Sequence, residues 1–360
     1  MHFYCDNKKN IRTFATYKPK QAMKSSKKYI IFISIICVLF ASCKKEPTRE
    51  DKLTKGLPSS GGKTLEMIVV ADDELYKTNV AKIVQKEFQV PQQGLNQAEP
   101  LFDVVHLKTA GFIHSDMLQK HRNILIIDYK KGNPNKMYGQ INERVYPQAV
   151  YKLMVDNKDS LYSILTRYAP TIRKQFYRNE HDRIFNAFKR SEDIKLTEKI
   201  EKTFGIKLTI SSDFYLAKQQ KDFFWLRKET KDESYDIMIY KRPFTSKDLF
   251  NQAKIIDIRN EIAKQNIPGP SKGSYMGTEE RFSIYQDTVK INDIILIENR
   301  GLWRLFGDFM GGPFINYVFQ NPKTKDFVMI DCFLYCPKKS KRDLLMQLES
   351  IVYSLNREVK

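Results

Sequence analysis

The sequence predicts a mixed fold: an N-terminal α/β layer domain, a helical connection, and a C-terminal α+β domain whose mostly antiparallel sheet carries a closing helix. Three observations carry this expectation. Early in the chain, short apolar runs alternate with segments of helical period, which is the pattern of βα units. Beyond residue 205 the runs follow one another more closely, with turn residues between them. The final stretch, "KKSKRDLLMQLESIVYSLNREVK", places Leu344, Leu348, Ile351, Val352 and Leu355 on one helical side.

The N-terminus speaks first of export. Residues 30–42, "IIFISIICVLFAS", are uncharged and apolar, and "MKSSKK" (Met23–Lys28) precedes them. A cationic segment, a short apolar core and small terminal residues make a secretory signal. The run is shorter than the roughly 20 residues of a membrane-spanning helix. Met23 is the natural start, since residues 1–22 fit no part of a signal. The run ends in "LFASC", which resembles the lipobox of bacterial lipoproteins. That resemblance implies cleavage before Cys43 and its acylation, hence a lipid anchor in a membrane. "KKEPTREDKLTKGLPSSGG" (Lys44–Gly62) then reads as a polar tether. The expected organisation is a leader over 1–42, a lipidated tether over 43–62, an α/β domain with a helical extension over 63–204, and an α+β domain over 205–360. Lys44 and Lys45 do not form an acidic surface-export signal, so the body is expected in the periplasm, with the cell surface as the alternative.

From Thr64 the elements run in order. "LEMIVVA" (Leu65–Ala71) is a buried strand, and the next eighteen residues put Tyr76, Val80, Ile83, Val84 and Phe88 on one helical face, with Asp72 or Asp73 as N-cap. "LFDVVHL" and "NILIIDY" supply two more strands. Residues 158–204 are helical, divided or kinked at Pro170 and ended by Gly205 as the C-cap glycine. "IKLTIS", "DFFWLRKE" and "YDIMIYK" read as a meander, followed by a helix over about Ser246–Gln265. Further strands lie in "INDIILIENRGLWRLF", "PFINYVFQ" and "DFVMIDCFLYC". Cys332 and Cys336 share one apolar face with Val328, Ile330 and Leu334. Two strand positions four apart are separated by roughly 13 Å, too far for a disulfide between them.

Charge and motifs limit the chemistry. The formal net charge is +19, and the first 42 residues hold eight basic residues and one acidic one, which leaves +12 for the exported part. These charges are scattered rather than gathered in a stripe, and export argues against nucleic acid as a partner. No zinc-ligand spacing, nucleophile elbow, phosphate loop or dinucleotide fingerprint is present, so neither a metal nor a cofactor is expected. "PSSGGK" precedes a strand, whereas a phosphate loop opens a helix.

Two groups of residues remain as candidate ligand sites. Asp72, Asp73 and Asp128 fall at the ends of strands, where open α/β sheets bind ligands. Carboxylates there act as acid/base groups or hold a cation, against the plainer reading of helix capping and solvated surface. The second group lies in "RGLWRLFGDFMGGPF": Arg300, Trp303, Arg304, Asp308, Gly311 and Gly312. Strand alternation places Ile295, Ile297, Trp303 and Leu305 on one face and Glu298, Arg300 and Arg304 on the other. "GDFMGGP" reads as a connection needing positive φ, or as a loop whose amides meet an anion.

"LPSSGGKTLEMIVVADDELY", "VPQQGLNQAEPLFDVVHL", "RGLWRLFGDFMGGPFINYVF" and "KKSKRDLLMQLESIVYSL" together resemble a family of Bacteroidetes envelope lipoproteins that is a domain of unknown function. The resemblance runs from about Pro58 to Leu355 and implies an exported lipoprotein, with no catalytic residues to carry over. The expectation is a lipid-anchored, non-enzymatic envelope protein that binds an anionic ligand or a protein partner at the junction of the two domains. A hydrolase using the strand-end carboxylates and a structural assembly factor are the alternatives.

Overall fold

Burial on both faces is what an all-apolar strand demands, and the computed structural model, which describes residues 56–357, gives "EMIVV" that setting. This strand, β1 (Glu66–Val70), pairs in parallel with β2 (Asp103–Leu107) and with β3 (Asn123–Tyr129). β4 (Lys136–Ile141) and β5 (Ala149–Val155) complete a five-stranded sheet of order β2-β1-β3-β5-β4, in which only β4 is antiparallel. The leader, Cys43 and all but the end of the tether lie outside the described residues.

Helices cover the two faces of this sheet unequally. After β1 come α1 (Asp73–Leu75), a π-helical turn (Tyr76–Val80) and α2 (Ala81–Phe88). Val80, Val84 and Phe88 bury against Met67, Val69, Leu125 and Leu153. The 33-residue α5 (Lys158–Arg190) joins them with Leu161, Leu165, Ile172 and Phe176. On the opposite face, among the described residues, α3 (Thr109–Ile113) and α4 (Asp116–Gln119) lie over Ile68, Val70 and Ile124, through Phe112 and Leu118.

The second sheet has eight strands, all antiparallel: β10-β11-β12-β13-β8-β7-β6, with β9 also on β11. Their ranges are β6 (Tyr215–Gln220), β7 (Phe223–Glu229), β8 (Ser234–Arg242), β9 (Tyr275–Thr278), β10 (Tyr285–Ile291), β11 (Ile294–Phe306), β12 (Gly311–Gln320) and β13 (Phe327–Tyr335). One face packs on α6 (Ile194–Phe204) and the closing helix α8 (Arg342–Val352). The other packs on α7 (Gln252–Asn266), which buries Ile255, Ile258 and Ile262 against Trp303, Leu305 and Phe333. Cys332 and Cys336 are free and buried in the α8-side core with Val328, Ile330 and Leu334.

Four expectations are corrected. Pro170 does not divide the helix, because α5 runs through it with the ring on an exposed position. "IKLTIS" is no strand, although Ile206, Leu208 and Ile210 are all buried. Its backbone bonds instead to the chain end beyond α8: Asn356 N to Lys207 O (2.8 Å), Lys207 N to Asn356 Oδ1 (2.9 Å) and Thr209 N to Ser354 Oγ (2.8 Å). The helix expected over 246–265 is a 3₁₀ turn (Lys247–Phe250) followed by α7. Finally, Ser59–Gly62 are docked rather than tether-like. Arg122 donates to the carbonyls of Gly61 (3.2 Å), Gly62 (3.2 Å) and Lys63 (2.8 Å), while its Nε pairs with the buried Glu180 at 2.6 Å.

Candidate functional site

The chain leaves β1 toward β2 on one side and returns across it to β3 on the other. Its direction therefore switches between β1 and β3, where open α/β sheets form a ligand crevice beyond the strand ends. Val70 and Ile126 are partners in the ladder. Asp72 and Asp128 each lie two residues further along, so they stand at one level on either side of the switch.

The carboxylates at this edge are individually paired. Asp73 meets Lys108 at 2.8 Å, and Asp128 meets Lys152 at 2.8 Å. These hydrogen bonds hold both carboxyls below the ordinary aspartate range, so both are anions at neutral pH. Asn133 fixes the rim by donating to the carbonyls of Asp128 (2.7 Å) and Val155 (3.3 Å). Asp72 occupies the N-cap position without a capping bond and is exposed.

His106 belongs to the same edge and was not singled out by sequence reasoning. Its Nε2 lies 2.9 Å from the carbonyl oxygen of Ala71, which can only accept, so Nε2 is the donor of this bond. Its ring stacks on Tyr76 at 3.9 Å with an interplanar angle of 4°. Tyr76 opens the π-helical turn, in which Thr78 leaves helical geometry (φ −77°, ψ −156°) and donates from Oγ1 to Leu75 O at 2.6 Å. Such turns recur at functional sites. The signal present in the sequence was a polar ring near the C-terminal end of the strand "DVVHL". An edge carrying a fixed imidazole, two ammonium groups and three carboxylates can bind a polar ligand. Neither Asp73 nor Asp128 is a protonated carboxyl that could serve as a general acid.

The glycine-rich stretch is placed differently from the reading that made it a loop. Gly311 and Gly312 are strand residues of β12, opposite Arg304 and Trp303. A Cβ on Gly312 would collide with the Leu334 carbonyl, and its absence lets the Trp303 indole N–H donate to that oxygen at 3.1 Å. Trp303 is buried, so it is core rather than contact surface. Asp308 accepts from Ser271 Oγ at 2.8 Å, and Arg304 lies 3.7 Å from Glu279.

Arg300 is the largest correction. Its face of β11 is covered by α8, and Arg300 is buried with Glu298 (2.6 Å) and Glu349 (2.7 Å). Burial disfavours its charge, but Glu349 and Glu298 more than offset this and hold the guanidinium firmly charged. Tyr177 of α5 donates to Glu349 at 2.8 Å, and His181 contacts Ser350 at 3.0 Å. This network joins the two sheets; it does not face a ligand.

Two family models match the chain. Residues 60–189 match the one described as Domain of unknown function (DUF8532), and residues 193–354 match Domain of unknown function (DUF4837). None of the curated proteins compared with the chain matches it. The strand-end site lies wholly in the DUF8532 region, whereas the Arg300 network draws α5 from that region and β11 and α8 from the DUF4837 region. Among the described residues no helix is long and apolar enough to cross a membrane, and no group of three or more His, Cys, Asp or Glu side chains is placed to hold a metal ion.

Proposed function

We propose that the chain is a lipid-anchored envelope protein, attached through Cys43, whose body is a binding module rather than an enzyme. The observation supporting the binding role is the β1/β3 edge, where Asp73–Lys108 and Asp128–Lys152 pairs flank the switch point and Asp72 is left free. The partner is an envelope protein or an anionic ligand engaging Lys108 and Lys152. A hydrolase using Asp72, Asp73 and Asp128 fits less well. An acid catalyst needs a carboxyl raised toward neutral pH, and Asp73 and Asp128 are shifted the other way. A structural assembly factor would use the same edge for a protein neighbour.

Two experiments address the two parts. Replacing Asp72 by a photo-crosslinking residue in cells should trap one reproducible neighbour, and Lys108→Glu with Lys152→Glu should abolish the adduct. Failure to trap any recurring species, or an adduct indifferent to the charge reversals, defeats the binding role of this edge. Separately, Cys43→Ala should move a folded body into the salt-washed soluble fraction. Retention in the washed membrane would defeat the anchor.

A further inference from the structure

Phe309, at the β11–β12 turn, is fully exposed, although an aromatic ring in water forgoes the burial that stabilises most such side chains. The turn holding it is not loose. Asp308 accepts from Phe309 N (2.7 Å), Ser271 N (3.3 Å) and Ser271 Oγ (2.8 Å), so its carboxylate clamps residues 307–310 to the loop that precedes β9. Leu305 N donates to Met310 O at 2.8 Å, and Gly307 turns the chain at φ +82°. Below the clamp, Tyr275 and Phe306 stack at 5.2 Å, Lys264 Nζ lies 4.7 Å from the Tyr275 ring, and the Arg304 guanidinium lies 4.8 Å from Phe306.

Lys272 follows Ser271 as Phe309 follows Asp308, so a cation and the bare ring both leave from the residues next to the clamp. Lys264 and Lys272 are exposed, and neither has an acidic partner at ion-pair distance among the described residues. Asp308, the acid in the clamp, is occupied by Ser271. The result is a hydrogen-bonded tip with one projecting aromatic ring, an aromatic base, and two ammonium groups against the single Asp308 carboxylate.

We propose that this tip is a membrane-contact site: Phe309 enters the interfacial layer of a bilayer while Lys264 and Lys272 face anionic headgroups. Charge complementarity favours a lipid surface, where long cationic side chains keep their ammonium groups at the headgroups while a ring sits below them. The contact presumes the envelope location proposed above, but it is a property of the body and is read separately from the anchor.

The test uses the full chain with its anchor, reconstituted on vesicles and carrying Phe309→Cys labelled with an environment-sensitive nitrobenzoxadiazole dye; the unlabelled-site parent and Ile194→Cys, another exposed position, are controls. With equal shares of phosphatidylglycerol and phosphatidylcholine, emission at position 309 should rise severalfold and shift to the blue, and position 194 should stay wet. Lys264→Glu with Lys272→Glu, or 1 M salt, where the screening length falls to roughly 3 Å, should remove most of the change. Chain that sediments with the vesicles while position 309 stays as in water overturns the contact and leaves the anchor standing. So does a shift of equal size on phosphatidylcholine alone, or one that appears only after envelope protein is added, which would assign the tip to a protein partner. Chain with Cys43→Ala that no longer sediments, yet shows the dye response when vesicles are in excess, separates the anchor from the tip and supports the latter.

Discussion

A methyl group on Gly312 would occupy the space through which the Trp303 indole reaches the Leu334 carbonyl. Two backbones and a ring meet there, so the strand has no flexible atom to yield. Gly312→Ala is expected to destabilise the protein by about 1–3 kcal/mol from overpacking, with a further loss if the indole bond breaks. Urea unfolding followed by Trp fluorescence measures this, and an unchanged midpoint would mean that the strand relaxes around the methyl. His181 makes the complementary case of a polar group enclosed. Its ring stacks on Tyr353 at 3.7 Å, its Nδ1 contacts Ser350 Oγ, and burial draws its pKa down to about 3 against the opposing pull of Asp182. Arg300 and Arg357 add to the depression, and Glu298 opposes it. In the unfolded chain an imidazole titrates near 6.5. Between these values the unfolded chain holds a proton that the native state excludes. The stability due to His181 is therefore complete above about pH 6.5 and is lost as pH falls toward about 3, by up to about 1.4 kcal/mol per pH unit. His181→Gln should flatten the stability curve in that window by one proton; equal slopes for the two proteins would contradict the enclosed, neutral imidazole.

The elements divide by how much of their pairing is local. β3 was legible in "NILIIDY", because a strand buried on both faces needs an unbroken apolar run. β4, β6 and β10 are sheet edges or lie near them, with mostly exposed residues such as "KMYGQI" and "YQDTVKI", so no alternation marks them. β5 lies inside the sheet but reads "AVYKLMV", where Lys152 interrupts the run to reach Asp128. "IKLTIS" misled in the opposite sense: its alternation is genuine burial, yet its hydrogen bonds go to residues about 150 positions away, which no local pattern reveals. Arg300 was a candidate ligand contact for the same reason, since the helix that covers it arrives some fifty residues later. The strand-end aspartates could be placed from sequence, but their lysine partners and His106 required the sheet order. Pro170 offers a test at this scale. Inside α5 it lacks the N–H that would bond to the carbonyl four residues earlier, while its exposed position leaves the core untouched. Pro170→Ala should therefore raise stability by about 1–3 kcal/mol. A fall in the thermal midpoint would show that the ring stabilises the native state by limiting the unfolded chain.

At the scale of the molecule, the halves matched by two separate family models are tied through α8, which follows β13 of the second sheet yet is capped by the first half. Glu99, in the segment leading to β2, accepts from the backbone N–H groups of Lys341 (2.8 Å) and Arg342 (2.9 Å), the unpaired donors at the start of that helix. Arg342 answers by donating to Pro100 O at 2.6 Å and pairing with Asp103 at 2.8 Å, at the first residue of β2. Further along, Met346 enters the first core, Glu349 bridges Tyr177 and Arg300, and Arg357 pairs with Asp182 at 2.8 Å. A helix held at its start, middle and end by both halves cannot leave one without disturbing the other. The two sheets should therefore open together, and native-state hydrogen exchange should give the slowest amides of β3 and of β13 the same opening free energy. Glu99→Ala removes the cap and leaves two buried N–H groups without their acceptor, while the Arg342 side chain keeps Pro100 O, Asp103 and Asp343. It should cost about 1–2 kcal/mol, the range of a lost helix cap, and should lower protection in β3 and β13 by the same amount. If protection falls in β13 while β3 keeps its own, the halves open independently and α8 is an appendage of the second sheet. Equal losses make α8 the element through which a disturbance at Gly61–Lys63, gripped by Arg122, reaches the second sheet.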